Sequence, residues 1–486
     1  MEDIDIALVK KRSLTGIVAL TSRTFVIQIL AFVATFLLTI FLSPSVFGVF
    51  YVVSAIIAFL GYFSDIGLAA ALVQKKEDVT AQDLTTTFTI QQMLVGIVVV
   101  IALYASSWIA TFYRLDTAGL WLFRALVVSF FLSSLKTIPS VLLERKLDFR
   151  TLVIPQLLET VGFYGVAVLL AWRGWGIASF TWAVMVRAVV GLIAIYMLSP
   201  WRISVGFSRP VARRLLRFGI PFQLNSFLAL LKDDLLTVFL GKILPFAQVG
   251  YIGWAKKWAE VPLRLIMDSV VRVTFPAFSR IQQSKKILGQ ALEQTLFGLS
   301  ATIIPVTIGL LFAIRPILTI VPRYSKWEPA LFSFTLFAVA SIIAGLTTPL
   351  TNALNAIGRI KTTLVLMVMW TVATWVLTVT LIHYYGFNGV SIALLTITAT
   401  IVLVVFLVKQ SAPFLFIKSI RGPVVASAVQ GIWYIAVTPW GITSTLRLIL
   451  AGSAGVILYL IVIFFLEKER IGKLVGYVRK EFSWRK

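Results

Sequence analysis

The stretch Trp254–Arg272, WAKKWAEVPLRLIMDSVVR, lies between apolar segments yet carries a charge at every fourth residue: Lys256, Glu260, Arg264, Asp268 and Arg272. On an α-helix, steps of four precess by about 40°, so these five sweep roughly 160° of one side. Lys257 falls in the same arc, and the opposite arc carries Trp258, Pro262, Leu263, Leu265, Ile266, Val270 and Val273. Four cations against two carboxylates leave the ladder at +2. Guanidinium forks on such a face suit phosphate recognition. The alternating sign also permits a self-neutralising staple built from i,i+4 pairs, and both readings stay open at this point. Pro262 weakens the helix there and predicts a bend.

Other ionic residues sit inside apolar runs. Arg23 and Asp65 fall about ten residues from the same end of successive spans, where they can pair at one depth. Lys232, Asp233 and Asp234 are consecutive, and two adjacent carboxylates are ready to share a proton or a cation. Lys136, Glu159 and Arg187 lie in three consecutive spans. Each group is open between structural pairing and function. No catalytic residues are expected: there is no phosphate-loop motif, no metal-ligand cluster and no cysteine, so neither a metal nor a cofactor is implied. The one histidine, His383, reads as interfacial.

The elements that must position these groups follow from composition. The 486 residues are 59% hydrophobic and only 13% charged, against roughly 25% charged in a soluble domain. Apolar runs of about 20 residues recur, each long enough to cross a core of roughly 30 Å. The fold class is therefore an all-α polytopic membrane protein. Fourteen spans are expected, near 13–42, 46–73, 85–108, 120–143, 151–171, 176–198, 215–241, 246–278, 290–314, 329–354, 362–383, 387–408, 420–438 and 443–466. The first is read as a retained span rather than a cleaved signal.

The net charge of +24 would suggest nucleic acid in a soluble chain. Here it follows the cytoplasmic bias of Lys and Arg. With the N-terminus inside, 28 of the 44 basic residues fall on the inner side, 8 on the outer side and 8 within spans. Both termini are thus expected in the cytoplasm, and nucleic acid is not an expected partner.

The halves repeat in order. LSPSVFGVF (Leu42–Phe50) matches LPFAQVGYI (Leu244–Ile252) at an offset of 202. TIPSVLLERKLDFRTLV from Thr137 matches TTPLTNALNAIGRIKTTLV from Thr347, and GWGIAS (Gly174–Ser179) matches FNGVSI (Phe387–Ile392). Six spans per copy is even, so both copies enter the membrane in one sense and the pseudo-two-fold axis should lie along the membrane normal. The expected organisation is an N-lobe at 1–198, a cytoplasmic linker at 199–214, a C-lobe at 215–410, two added spans at 411–466 and a basic tail at 467–486. At the 202 offset the ladder falls on Ser54, Ala58, Tyr62, Ile66 and Ala70, so only the second copy carries it. Transporters with paired halves place the site where the repeats meet.

The segments LSPSVFGVF, FSDIGLAAALVQKKEDVTAQDL, LLRFGIPFQLNS and NALNAIGRIK resemble the Wzx-type polysaccharide flippases of the multidrug/oligosaccharidyl-lipid/polysaccharide exporter superfamily, over about the first 410 residues. The resemblance implies a bacterial inner-membrane protein with two six-helix lobes around a cationic cavity. It would move an undecaprenyl-pyrophosphate-linked oligosaccharide to the outer leaflet by alternating access. Carried over by position, Arg23, Lys232, Lys256, Lys257, Arg264 and Arg272 become candidates for the pyrophosphate and acidic sugars. Asp65, Glu159, Asp233, Asp234, Glu260 and Asp268 become candidates for coupling to H+ or Na+, or for gating. Membrane lipids and a polysaccharide polymerase are the implied partners. The last two spans resemble the extra pair of the lipid II flippase. Two alternatives stay open. A multidrug-type exporter would want an acidic cavity with few cations, and a membrane glycosyltransferase or polymerase usually has a large soluble loop.

Overall fold

The computed structural model describes residues 26–64, 66–75, 77–470 and 472. Arg23 and Asp65 lie outside the described residues, and so do the side chains of Asp268 and Arg272. Among the described residues the regular secondary structure is helical, and each expected span contains helical residues. The segment 209–281, expected as spans 7 and 8, is nevertheless not among those long and apolar enough to cross a membrane. Among the described residues ten helical segments are long and apolar enough to cross a membrane.

The chain divides into two compact units, 1–250 and 251–486. The first contains α1 (Val26–Phe41), α2 (Pro44–Tyr62), α3 (Leu68–Gln74), α4 (Ala81–Tyr104), α5 (Ser106–Tyr113) and α6 (Thr117–Ser134). It continues with α7 (Thr137–Arg145), α8 (Phe149–Trp172), α9 (Ile177–Leu198) and α10 (Arg209–Ile243). Local chemistry sets several starts. Pro44 opens α2 in the first turn, where its missing N–H costs nothing. The Thr80 and Asp83 side chains exchange hydrogen bonds with each other's backbone N–H and open α4. Asp116 and Asp148 cap α6 and α8.

Within this unit α8 packs along α9, α9 on α6, and α2 on both α6 and α10. The contact of α10 with the start of α3 depends on glycine. A Cβ on Gly67 or Gly219 would strike the backbone of the other segment, and Gly67 also sits at φ 67°, in the left-handed region. Further along, a Cβ on Gly48 would collide with the carbonyl oxygen of Phe246, and one on Gly250 with that of Pro44. At the 202 offset Pro44 matches Phe246 and Gly48 matches Gly250. The contact is therefore reciprocal in sequence terms. Large aromatics stand exposed at one set of span ends: Tyr104, Trp108, Trp121, Trp172 and Trp175. That is the composition of an interfacial belt.

The second unit takes α11 (Phe246–Ala259), which spans the division, then α12 (Val261–Ile281), α13 (Lys285–Ile320), α14 (Leu331–Ala356) and α15 (Ile360–Tyr385). It ends with α16 (Gly389–Thr398), α17 (Ile401–Lys409), α18 (Phe416–Val437) and α19 (Thr445–Leu466). Its core is a buried cluster that includes Phe278, Leu292, Leu296, Ile303, Leu346, Leu350 and Val404.

Four expected spans are each built from two helices. Breaks fall between α2 and α3, between α6 and α7, at Glu260, and between α16 and α17. Among the described residues two breaks carry charge, at Lys136 and Glu260.

Candidate functional site

The break at Glu260 has a local cause. Pro262 supplies no N–H, so one rung of the helical ladder is missing there, and α12 starts at Val261 with Pro262 in its first turn. Glu260 rests at φ −86°, ψ −4° and joins the helices through Glu260 N–H to the Lys256 carbonyl (3.0 Å) and Arg264 N–H to the Glu260 carbonyl (2.9 Å). The bend expected from Pro262 is thus a discontinuity. On α12, Leu263, Ile266, Met267 and Val270 pack into the core cluster, which turns Arg264 away from it.

Arg264 donates from Nε and Nη2 to one oxygen of Glu260, at 3.2 and 2.8 Å. Its side chain keeps 68% of its surface, while that of Glu260 keeps 17%. An exposed i,i+4 pair contributes about 0.3–0.5 kcal/mol. Neither α11 nor α12 is among the ten segments long and apolar enough to cross a membrane, and the weak pairing leaves the Arg264 guanidinium open to its surroundings. The segregation of charge is less complete than its sequence pattern: Leu265 and Val273, from the apolar arc, are 49% and 68% exposed. Lys256 and Lys257 are half-buried in the last turn of α11, where the helix dipole favours cations. Part of their role is therefore structural.

A second constellation forms in the first unit. Lys136, at the α6–α7 break, places Nζ 2.6 Å from Glu159 Oε1 on α8. Arg187, midway along α9, brings Nε to 3.8 Å from the other carboxylate oxygen. Glu159 fits only because residue 191 is glycine; a Cβ there would overlap its carboxylate. Lys136 and Glu159 keep 17% and 13% of their side-chain surface, whereas Arg187 keeps 58%. The Arg187 guanidinium also lies 6.0 Å from the Phe163 ring centre, beside Phe180 and Phe50, whose rings stack at 4.2 Å. Sequence grouped these three charges by span but did not single out Arg187; its place at mid-helix was the available signal.

The remaining candidates separate. Asp233 is exposed on α10, with Lys232 and Asp234 half-buried beside it. They belong to the first unit with Glu159, while Glu260 and Arg264 belong to the second. His383 is exposed at the end of α15, edge-on to Tyr384. Among the described residues no three His, Asp or Glu come together to hold a metal ion.

Sequence reasoning missed one polar centre outright. Asp83 is fully buried and binds Lys75 Nζ and Arg214 Nη2, each at 2.6 Å. Nearby, Arg145 donates to the carbonyls of Leu72, Lys75 and Glu77. The TAQD capping pattern of residues 80–83 was the legible sign.

A family model described as polysaccharide biosynthesis protein matches residues 37–332. The succinoglycan biosynthesis transport protein ExoT of Rhizobium meliloti is 23% identical, covering 93% of this chain and 92% of that protein. The teichuronic acid biosynthesis protein TuaB of Bacillus subtilis is 25% identical over 61% of both chains. The lipopolysaccharide biosynthesis protein WzxC of Escherichia coli is 24% identical over 65% of this chain and 64% of its own. Among solved structures, the lipid II flippase MurJ in an inward closed conformation superposes with a TM-score of 0.76 at 16% identity, covering 93% of this chain and 99% of that one. An inward-facing multidrug transporter of the MATE family in the MOP superfamily gives 0.61 at 17%, covering 81% and 97%. At these identities the structures establish the fold, and the matched family model establishes kinship. The chain belongs to the polysaccharide biosynthesis protein family and has a multi-span helical fold like that of MurJ and the MATE transporter.

Proposed function

We propose that this protein is a flippase that carries a polyprenyl-pyrophosphate-linked oligosaccharide from the inner to the outer leaflet of the bacterial cytoplasmic membrane. The observation that carries the reading is Arg264. It is a mostly exposed guanidinium on α12, one turn past the break at Glu260, and among the described residues its ion pair is with that carboxylate. A water-filled path past α12 would hydrate it between cargoes, and a pyrophosphate would accept its fork when loaded.

In this reading Arg187 is a further cationic contact, and Lys232, Lys256, Lys257 and Arg272 serve the acidic parts of the cargo along with Arg23. Segments 1–198 and 215–410 work as the two lobes of an alternating-access cycle, with both termini in the cytoplasm. Asp65, Glu159, Asp233, Asp234, Glu260 and Asp268 are the candidates for coupling to H+ or Na+. Outward movement of an anion gains about 2.3 kcal/mol per charge per 100 mV from an inside-negative potential. A polysaccharide polymerase would take the delivered unit. Cationic drugs, as cargo, would meet arginines where they need carboxylates.

The test is reconstitution in liposomes with a fluorescent undecaprenyl-pyrophosphate glycan, scored by access of a membrane-impermeant quencher. Wild type should equilibrate the glycan between leaflets. Equal rates for wild type and for liposomes without protein would refute the assignment.

A further inference from the structure

The head of α10 gathers like charge in a place that physics disfavours. Arg209, Arg213, Arg214 and Arg217 all lie in its first nine residues, with no acidic residue in the first turn. Three of them repeat at i,i+4, where like charges repel, and all four sit at the positive end of the helix dipole. The N-cap, Ser208, makes no side-chain cap, so the first amides lack a local acceptor. Cytoplasmic bias accounts for how many arginines are here. It does not account for their alignment along one open cleft of about 760 Å³, lined by Arg209, Pro210, Arg213, Arg214, Arg217 and Phe218.

Only one of the four is neutralised. Asp83 binds Arg214 at 2.6 Å and fixes it. Among the described residues Arg209, Arg213 and Arg217 make no ion pair, and all three are exposed. Just upstream, residues 203–207 form no regular secondary structure and are tied to α4. Gly206 N–H donates to Thr89 Oγ1 and Ser208 N–H to Thr86 Oγ1, both at 3.1 Å. The alternate side chains Ile203, Val205 and Phe207 are 55%, 80% and 65% exposed. A cationic cleft bordered by outward apolar side chains is the chemistry of a headgroup boundary, with phosphate above and acyl chain below.

We propose that this cleft binds the phosphate headgroup of an inner-leaflet lipid. Arg209, Arg213 and Arg217 are its ligands, Arg214 is a positioning residue set by Asp83, and Ile203, Val205 and Phe207 lie in the acyl region. Two lipids share this chemistry: a polyprenyl pyrophosphate, whose choice rests on the flippase reading, and an anionic glycerophospholipid.

The experiment uses the full chain in phosphatidylcholine nanodiscs. Undecaprenyl pyrophosphate, phosphatidylglycerol and inorganic pyrophosphate are titrated separately, and protection of arginines from phenylglyoxal is mapped by mass spectrometry. Protection of Arg209, Arg213 and Arg217 by either lipid supports the site, and the tighter one names its source. The R209Q/R213Q/R217Q variant should bind that lipid roughly 10- to 100-fold more weakly, while a K285Q/K286Q control should match wild type. No protection by either lipid overturns the proposal, and needs no variant to fold. Inorganic pyrophosphate protecting as well as the lipids also overturns it, because the apolar border would then contribute nothing. Flipping is scored separately, so the cleft can stand while the cargo assignment fails, or the reverse.

Discussion

Glu159 and Glu260 each pair with an arginine, yet the two settings differ. Glu159 is enclosed: Lys136 binds it at 2.6 Å, Gly191 makes room for it, and Arg187 approaches the other oxygen at 3.8 Å. Glu260 has the nearest break to itself and holds Arg264 from one turn away on the same stretch of chain. The first arrangement braces three helices, and the second presents a cation. The repeat sharpens the contrast. The second-copy equivalent of Lys136 is Leu346, a buried core residue on an unbroken α14, and the first-copy equivalent of Glu260 is Ala58, on an unbroken α2. Equivalent spans therefore break at different places: the one carrying Ala58 breaks further along, between α2 and α3, and the one carrying Glu260 breaks at that residue.

The largest effect should come from the presented cation. Arg264→Ala is expected to lower glycan flipping by at least 100-fold, with Arg264→Lys intermediate because an ammonium lacks the fork. Complementation of polymer production in a flippase-deficient strain, with membrane levels checked by immunoblot, measures it. Wild-type production by the alanine variant would erase the distinction between the two regions.

The braced pair should report on stability instead. Lys136→Met leaves Glu159 buried without its close partner and should cost about 3–5 kcal/mol, while K136M/E159M should recover most of it. Thermal unfolding in detergent would show a deep drop for the single variant and a shallow one for the double. Equal drops would mean that Glu159 is held by something other than Lys136.

Arg187 tests whether the braced region also handles cargo. At 58% exposure and 3.8 Å its pairing is worth about 0–1 kcal/mol. Arg187→Gln should therefore leave the melting temperature within a few degrees of wild type, yet slow flipping about tenfold. A variant that melts early and flips normally would return Arg187 to a purely bracing role.

The smallest effect is expected at the hinge. Pro262→Ala restores a backbone donor and should straighten the junction, slowing turnover a few-fold with binding intact. Single-turnover flipping compared with glycan binding would separate the two.

Much of this was legible in the residues. Apolar runs placed the helices, Pro262 announced the junction at Glu260, and the spacing of four put Glu260 and Arg264 in reach of each other. The break at Lys136 had a sign in Pro139, in the first turn of α7, which cannot donate to the Leu135 carbonyl. Its ion pair was not legible, because the charge on α8 that Lys136 meets is 23 residues away. Whether a cation is enclosed or open depends on neighbours from other helices. Lys136 and Arg187 look alike as lone charges in apolar runs, and only packing separates them. The Asp83 centre shows the same limit, since its partner Arg214 is 131 residues distant.

The central claim is that α12 shows its arginine to water and to a phosphorylated lipid. The chain has no native cysteine, so Arg264→Cys gives a single thiol in an otherwise unreactive background. In proteoliposomes a charged, membrane-impermeant methanethiosulfonate reagent should modify Cys at 264 rapidly, and a polyprenyl-pyrophosphate glycan should slow that modification. A thiol that reacts only with a lipid-soluble maleimide, at a rate indifferent to the glycan, would contradict the account.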